Sequence, residues 1–469
     1  MPLPTIPSGN VNSGLATGYN VANSLRFNDG SSEYLHFTPS SAGNRRTMTL
    51  SVWFKGTSLA DGTNNILGQY NSSNENNSML LTIESNGRIM VWNYTTSAYT
   101  MNLRTNRLLL DPSAWYHVVV AVDTTQSTDT DRVKIYVNGV QETSFFASTY
   151  PTQNLELFMN ENKAQNIGTQ RYGSSVGSPF DGYMAEFCFI DGQQLAPTSF
   201  GEFDSDSPTI WKPIDVSGLT FGTNGYYLDF EDSSALGNDV SGNNNDFTPV
   251  NFASTDQATD TCTNNFCTMN PLVPTTNITF SEGNCKMVTS SSDTHGAGVG
   301  TFGLTAGRWY YEVKIASLVD NHTHGAVSEL TSELYQNVTG LQNDTGVTSW
   351  INGDGGEVVV DGTATTNDYG LYTDGQIMGV ALDIDNYNIT YLRNGSALVS
   401  DFNMSTTRGT IFPLIKTGIS TTSEVNFGGC SAFSLSSAQS DENGYGNFEH
   451  APPSGYLAIC SKNLGSDGG

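Results

Sequence analysis

The stretch Trp115–Gln141 admits few folds. Val118–Val122 is apolar without a break, and Thr124–Asp131 is a polar loop. Val133, Ile135 and Val137 then alternate with Lys134 and Tyr136 up to Asn138-Gly139. A period of two puts valine and isoleucine on one face of a sheet and lysine and tyrosine on the other. Asn-Gly reaches positive φ at little cost and suits a tight turn. The segment predicts an antiparallel strand pair followed by a turn. Ile377–Gly395 repeats the pattern: Val380, Leu382 and Ile384 alternate with Ala381 and Asp383, a turn follows, and Ile389–Arg393 runs into Asn394-Gly395. That echo, far away in the same chain, is the strongest clue to the architecture.

Composition agrees. A chain of 469 residues has room for two or three domains with their own cores. With 48 glycines, 11% aromatic and only 14% charged residues, it suits all-β sandwiches with many turns. Disorder would need fewer aromatics and more charge. The formal net charge is −27, and no basic arm is available to neutralise phosphates, so nucleic acid is not an expected partner. No apolar run approaches the ~18 residues of a membrane span, so membrane insertion is not expected either. Met1–Asn20 lacks the basic start and apolar core of a signal peptide. Among the six cysteines, Cys262, Cys267 and Cys285 lack the regular spacing of a zinc site, and free thiols or an opportunistic disulfide are expected.

Five regions follow in order. Residues 1–20, with Pro2, Pro4 and Pro7, read as an extended arm. Residues 21–204 hold strands at Ser24–Phe37, Thr47–Lys55, Asn65–Tyr70, Ser78–Glu84 and Arg88–Tyr94, then the opening hairpin and Phe180–Asp191. LSVWFK, AWYHVVVAVD, KIYVNGVQ, IGTQRYG and FDGYMAEFCFID, in that order, resemble a laminin G-like, concanavalin A-like jelly roll. Residues 205–275 read as an ordered, β-containing bridge, because Phe221, Tyr226, Phe230, Phe247 and Phe252 need burial against one or both neighbours. Residues 276–461 carry GRWYYEVKI, GVALDIDNYNITYLRNG and FPLIKTGISTTSEVNFG, landmarks that resemble a SPRY domain. Residues 462–469 form a C-terminal tail. The SPRY core is itself a concanavalin A-like sandwich, so the resemblances imply an all-β chain of two antiparallel jelly rolls.

Concanavalin A-like folds include glycoside hydrolases, which need two carboxylates about 5–10 Å apart. Glu202-Phe203-Asp204 begins one such strand pattern, but Ser207 stands where the third carboxylate belongs. No catalytic residue is assigned. Glu312 is expected to face solvent by strand alternation, and His322-x-His324 reads as surface on a polar loop. Calcium is the one cofactor to weigh, because some laminin G-like domains carry it and it takes six to eight oxygens from adjoining loops. Asp29 and Asp181, each in an Asx-Gly turn, are the candidate ligands, against the reading that both are simple turn formers. Trp92, Tyr94, Tyr172, Trp350 and Tyr369 stand beside Gly/Asn-rich turns and are the candidate ligand-binding aromatics, against core packing. Trp53, Trp115 and Trp309, on strong strand patterns, are assigned to cores.

An arm, two sandwiches and the ending PPSGYLAICSKNL resemble virion-associated proteins of tailed bacteriophages, particularly tail-fibre or surface-appendage subunits. That resemblance implies a non-enzymatic protein made in the host cytoplasm and destined for the virion. It would be held to other virion proteins by its arm, trimeric by analogy, with a host surface glycan or a protein met by its loops. A capsid decoration or cement protein and a glycan depolymerase are the alternatives.

Overall fold

The computed structural model describes residues 18–57, 62–70, 76–172, 175–273, 278–289, 296–317, 322–329, 345–351, 356–365, 367–405, 407, 409–418 and 420–467. Most of the expected N-terminal arm, residues 1–17, lies outside them.

Both signature hairpins close by the same device. Asn138 and Gly139 have φ of 47° and 77°, and Asn394 and Gly395 have 48° and 77°. In the first turn, the Asn138 N–H donates to the His117 carbonyl at 2.9 Å, and its side-chain oxygen accepts from the His117 N–H at 2.8 Å. In the second, Asn394 and Ile377 make the same two bonds at 2.8 and 2.9 Å. Asparagine tolerates this left-handed backbone and caps the opposite strand with its own amide, which ties turn chemistry to register.

The chain divides into two compact units, the second beginning at Asn264. The first unit is a sandwich of two antiparallel sheets. One runs in the order Val140–Gln141, Val133–Val137, Tyr116–Asp123, Thr47–Gly56, Gly182–Asp191, Ser24–Phe27, Gln257–Ala258, with Tyr226–Leu228 also paired to Gly182–Asp191. The other runs Phe145–Thr149, Tyr99–Leu108, Arg88–Tyr94, Ser78–Ile83, Asn64–Tyr70, Gln165–Ile167, Tyr34–Phe37, Thr248–Val250. Val118, Val120, Val122, Val133, Ile135 and Val137 lie in the core between them, on the face that alternation predicts. Residues 205–263 are woven into this unit rather than strung from it. They supply three strands to its two sheets, Tyr226, Phe230 and Phe247 enter the core, and Phe252 packs against it.

The second unit is built alike. One sheet runs Ile278–Ser281, Lys286–Thr289, Thr422–Asn426, Arg308–Ser317, Ile377–Asp383, Asn388–Arg393, Ser396–Asn403, with Leu457–Ala458 parallel to Arg308–Ser317. The other runs Gly296–Val299, Ile411–Thr417, Thr323–Ser328, Val347–Ile351, Glu357–Val360, Thr363–Ala364. Trp309, Tyr311, Val313, Val380 and Leu382 fill the space between. Residues 462–467, expected as tail, belong to the short helix Ser461–Asp467, where Asn463 is buried and donates to Asp441 at 2.7 Å.

In each unit one outward sheet face is covered by later chain. In the first, Trp53, His117, Val119 and Cys188 are buried under Phe200, Trp211, Val216 and Phe221. In the second, Tyr310, Ala381 and Leu392 lie in a cluster with Phe448, Tyr456, Ala458 and Cys460. This cover corrects the expectation for Glu312. It does point away from the main core, as alternation requires, but it is fully buried and accepts from the Glu449 and His450 N–H groups at 2.9 and 2.8 Å.

Candidate functional site

The outward face of the other sheet in the first unit is the contrasting surface. The strand Arg88–Tyr94 sends Ile89 and Val91 into the core, so Arg88, Met90, Trp92 and Tyr94 point outward. Thr95–Ala98 turns the chain, with the Thr95 N–H on the Ala98 carbonyl at 2.9 Å, and this places Tyr99 directly across from Tyr94. Trp92, Tyr94 and Tyr99 meet edge to face, with centroids 5.8 Å (Trp92–Tyr99), 6.4 Å (Trp92–Tyr94) and 5.0 Å (Tyr94–Tyr99) apart. T-shaped packing holds each ring by its neighbours' edges. Trp92 and Tyr94 are half-buried, while Tyr99 is 43% exposed.

At the other end of the same strand the register shifts between Phe145 and Ala147, and Phe146 stands out at 64% exposure. A bulge of this kind re-aims one side chain. The Arg88 guanidinium lies 4.6 Å from the Phe146 ring centroid. Between the two ends, Arg104 pairs across from Met90 and reaches Glu84 at 3.4 Å. The face thus carries a narrow strip, aromatic at both ends and cationic towards one.

The comparisons with known proteins agree with this architecture. Residues 29–193 match the family model described as the concanavalin A-like lectin/glucanases superfamily, of laminin G type. Residues 308–430 match the SPRY domain. The chain carries a laminin G-like domain followed by a SPRY domain. No curated protein matches it. Among solved structures, the SPRY domain of human HERC1 is similar at 15% identity and a TM-score of 0.27, over 35% of this chain and 99% of that one. A SAP-like heptameric pentraxin from Limulus polyphemus is similar at 15% and 0.29, over 38% and 80%. The TRIM65 PSpry domain is similar at 12% and 0.28, over 34% and 88%.

The other sequence-predicted residues fare differently. Tyr172 ends the strand Gln170–Tyr172, and its side chain lies outside the described residues. In the SPRY domain, Trp350 is not a ligand platform: it is fully buried in the core, opposite His324 on the neighbouring strand, with centroids 5.6 Å from Tyr391 and 5.9 Å from Tyr369. Tyr369 is half-buried, and its hydroxyl accepts from Asn367. Asp29 is exposed in the first turn of a three-residue helix. Asp181 is buried, and its carboxylate accepts the Thr57 hydroxyl at 2.6 Å while Thr57 N–H donates to its carbonyl, which pins two strands together. Among the described residues, no three His, Cys, Asp or Glu converge as a metal site. All six cysteines are free and buried.

His322 and His324, expected on a surface loop, are buried in the SPRY core beside the strand Thr323–Ser328 and within it. Their rings lie 5.7 Å apart. His322 shares hydrogen bonds with the Tyr372 hydroxyl at 2.7 Å and with Ser423, whereas among the described residues neither ring nitrogen of His324 has a partner. Burial drives His322 down to about 3 and His324 well below the ordinary histidine range. Glu202 and Asp204 share one cation, Lys212 Nζ at 3.4 and 3.2 Å. The Lys212 bond and the Ser207 and Asp206 N–H groups hold Asp204 below the usual carboxylate range, the opposite of what a general acid needs.

Sequence reasoning missed Tyr99 and Phe146. Tyr99 was within reach: a four-residue turn after Tyr94 puts residue 99 across from it. Phe146 depends on a bulge that leaves no local signature.

Proposed function

We propose that this chain is a non-enzymatic adhesion protein of a virus particle, a tail-fibre or surface-appendage subunit that meets host glycans through the open sheet of its laminin G-like domain. The supporting observation is the Trp92–Tyr94–Tyr99 cluster, a preformed aromatic edge whose Tyr99 is exposed. Sugar rings present apolar C–H faces that stack on such rings, and rings already locked by one another lose little freedom on binding. The site lies on the sheet face beside a hairpin turn rather than at loop tips. Attachment to other virion proteins through the N-terminal residues, a trimeric assembly and a virion location belong to the same proposal and rest on the sequence resemblance.

A glycan array probed with the purified chain, with and without calcium, tests the reading. Trp92→Ala should abolish capture while circular dichroism stays unchanged. Absence of any glycan capture by the wild type would turn the reading towards a structural role on the capsid, which the chain's position in a cryo-EM map of the particle would reveal. Sustained shortening of host polysaccharide would replace it with a depolymerase.

A further inference from the structure

Resting on that glycan-binding reading, the geometry points to an acidic polysaccharide, one bearing uronic or comparable carboxylates, as the ligand of the strip from Arg88 to Tyr94; this specificity is our proposal. The chain as a whole is strongly acidic, at −27, yet residues 84–110 hold Arg88, Arg104 and Arg107 against Glu84 alone. The local sign is opposite to the global one. Arg107 is taken by Glu142 at 2.5 Å and Arg104 by Glu84 at 3.4 Å, so charge in this patch is only partly compensated. Arg88 spends one terminal nitrogen on the Thr105 carbonyl at 2.7 Å and makes no ion pair with a carboxylate among the described residues. It is held flat against Phe146, with its remaining guanidinium edge available for a bidentate carboxylate.

The shape selects a linear chain. Arg88 to Tyr94 spans about 20 Å at ~3.3 Å per residue, with outward side chains at every second position. Exposed apolar atoms sit at the two ends, in Phe146 and Leu108 at one and Tyr99 at the other, and the middle is Met90, Arg104 and Asn102. A protein partner would want a contiguous patch of about 800 Å² with an apolar centre. A narrow run of ring, cation and ring instead matches a polymer that alternates sugar faces with carboxylates.

The test uses the full chain and a panel of acidic polysaccharides (polygalacturonate, alginate and hyaluronate), each beside its carboxyl-reduced neutral counterpart. Binding to at least one acidic member should exceed binding to its reduced form about tenfold or more, as one charge-assisted hydrogen bond allows. It should weaken as salt rises. Arg88→Gln should bring the ratio of acidic to reduced binding down to about one, whereas Trp92→Ala should abolish both. Equal binding to acidic and reduced polymers, or an unchanged preference in Arg88→Gln, overturns the acidic specificity and leaves the glycan reading standing. Binding to neither, by a chain that also captures nothing on the wider array, sinks both. Self-association that Arg88→Gln removes, seen by sedimentation without any glycan, would assign the strip to a second copy instead.

Discussion

The two outward faces of the laminin G-like domain are built from the same alphabet and end in opposite states. Trp53 and Trp92 both point away from the core on alternating strands, with Val52 and Phe54 beside the one and Val91 beside the other turned inward. Trp53 is 1% exposed, stacked 4.6 Å from His117, which in turn accepts the Trp211 indole N–H at 2.9 Å. Trp92 leans on Tyr94 and Tyr99 of its own hairpin and stands across from Leu80 on the neighbouring strand. The difference is not in the strands. It lies in residues 195–260, which lay Phe200, Trp211 and Asp260 over the sheet that holds Trp53, while on the other sheet Trp92 and Tyr94 stay half-buried and Tyr99 is 43% exposed. Whether an outward aromatic is mortar or a binding surface is decided by chain far away in sequence.

That covered face gives the largest expected effect. Lys55 and Asp260 form an ion pair at 2.8 Å with both side chains at 0% exposure, and the second Asp260 oxygen accepts the Trp115 indole N–H at 3.0 Å. Asp260→Ala leaves a buried ammonium and a buried indole donor without their partner, and should cost about 3–5 kcal/mol. Urea unfolding followed at the laminin G-like domain measures it; a loss under about 1 kcal/mol would show that the cover is dispensable.

Acid should separate the two domains next. His117, fully buried, is pushed down to about 3, as is His322. A histidine whose folded value is depressed keeps its full contribution above the unfolded value of ~6.5 and loses it as pH falls towards 3. At pH 5 each of these two should cost about 2 kcal/mol, and His324 adds to the SPRY side with the same sign. Buried carboxyls act the other way. Burial lifts Glu33 and Glu312 to about 7 and Glu186 to about 8, so the folded state holds its proton as the unfolded one ionises, and stability falls as pH rises through 4.5 to 7. The laminin G-like domain has one such histidine against three raised carboxyls, burial lifting Asp229 as well, and the SPRY domain two against one. Between pH 7 and 5, hydrogen exchange should show Ile377–Asp383 losing protection relative to Tyr116–Asp123. His324→Leu, which removes a ring with no hydrogen-bond partner, should reduce that loss without destabilising the domain at pH 7. The reverse ordering of the two strands would contradict the assignment of charge states.

The contrast also marks how far the sequence could be read. Both hairpins, their Asn-Gly turns and the inward valines were legible because register follows from two adjacent strands and one turn. Trp92 and Tyr94 were legible for the same reason. Glu312, His322, His324 and Trp350 were not. Glu312 disappears under Asn447–His450, some 137 residues later, in a stretch with no alternation to announce that it covers anything. His324 sits in a strand, with His322 just before it, in a stretch whose polar letters, His-Thr-His-Gly, imitate a loop, and cross-strand pairing of His324 to Trp350 and Ile415 makes it a strand. Periodicity reports which face a residue occupies and is silent on what lies above that face.

The smallest expected effect on folding sharpens the comparison most. Trp92→Ala removes a half-buried ring that Tyr94 and Tyr99 meet edge to face, so its cost to stability should be about 1 kcal/mol or less. Trp211→Ala removes a ring of the same size from the covered face. That ring is 2% exposed, packs on Gly139 of the Asn-Gly turn and holds His117, so about 3–5 kcal/mol should go. Tyr99→Ala should behave like Trp92→Ala. The pair separates two roles that side-chain identity cannot: the open-face variants should keep the wild-type unfolding midpoint and lose glycan capture, and Trp211→Ala should shift the midpoint and, in the fraction still folded, capture glycan normally. If Trp92→Ala destabilised the domain as much as Trp211→Ala, the open strip would be packing for something that lies against it, and its claim to be a free binding surface would fail.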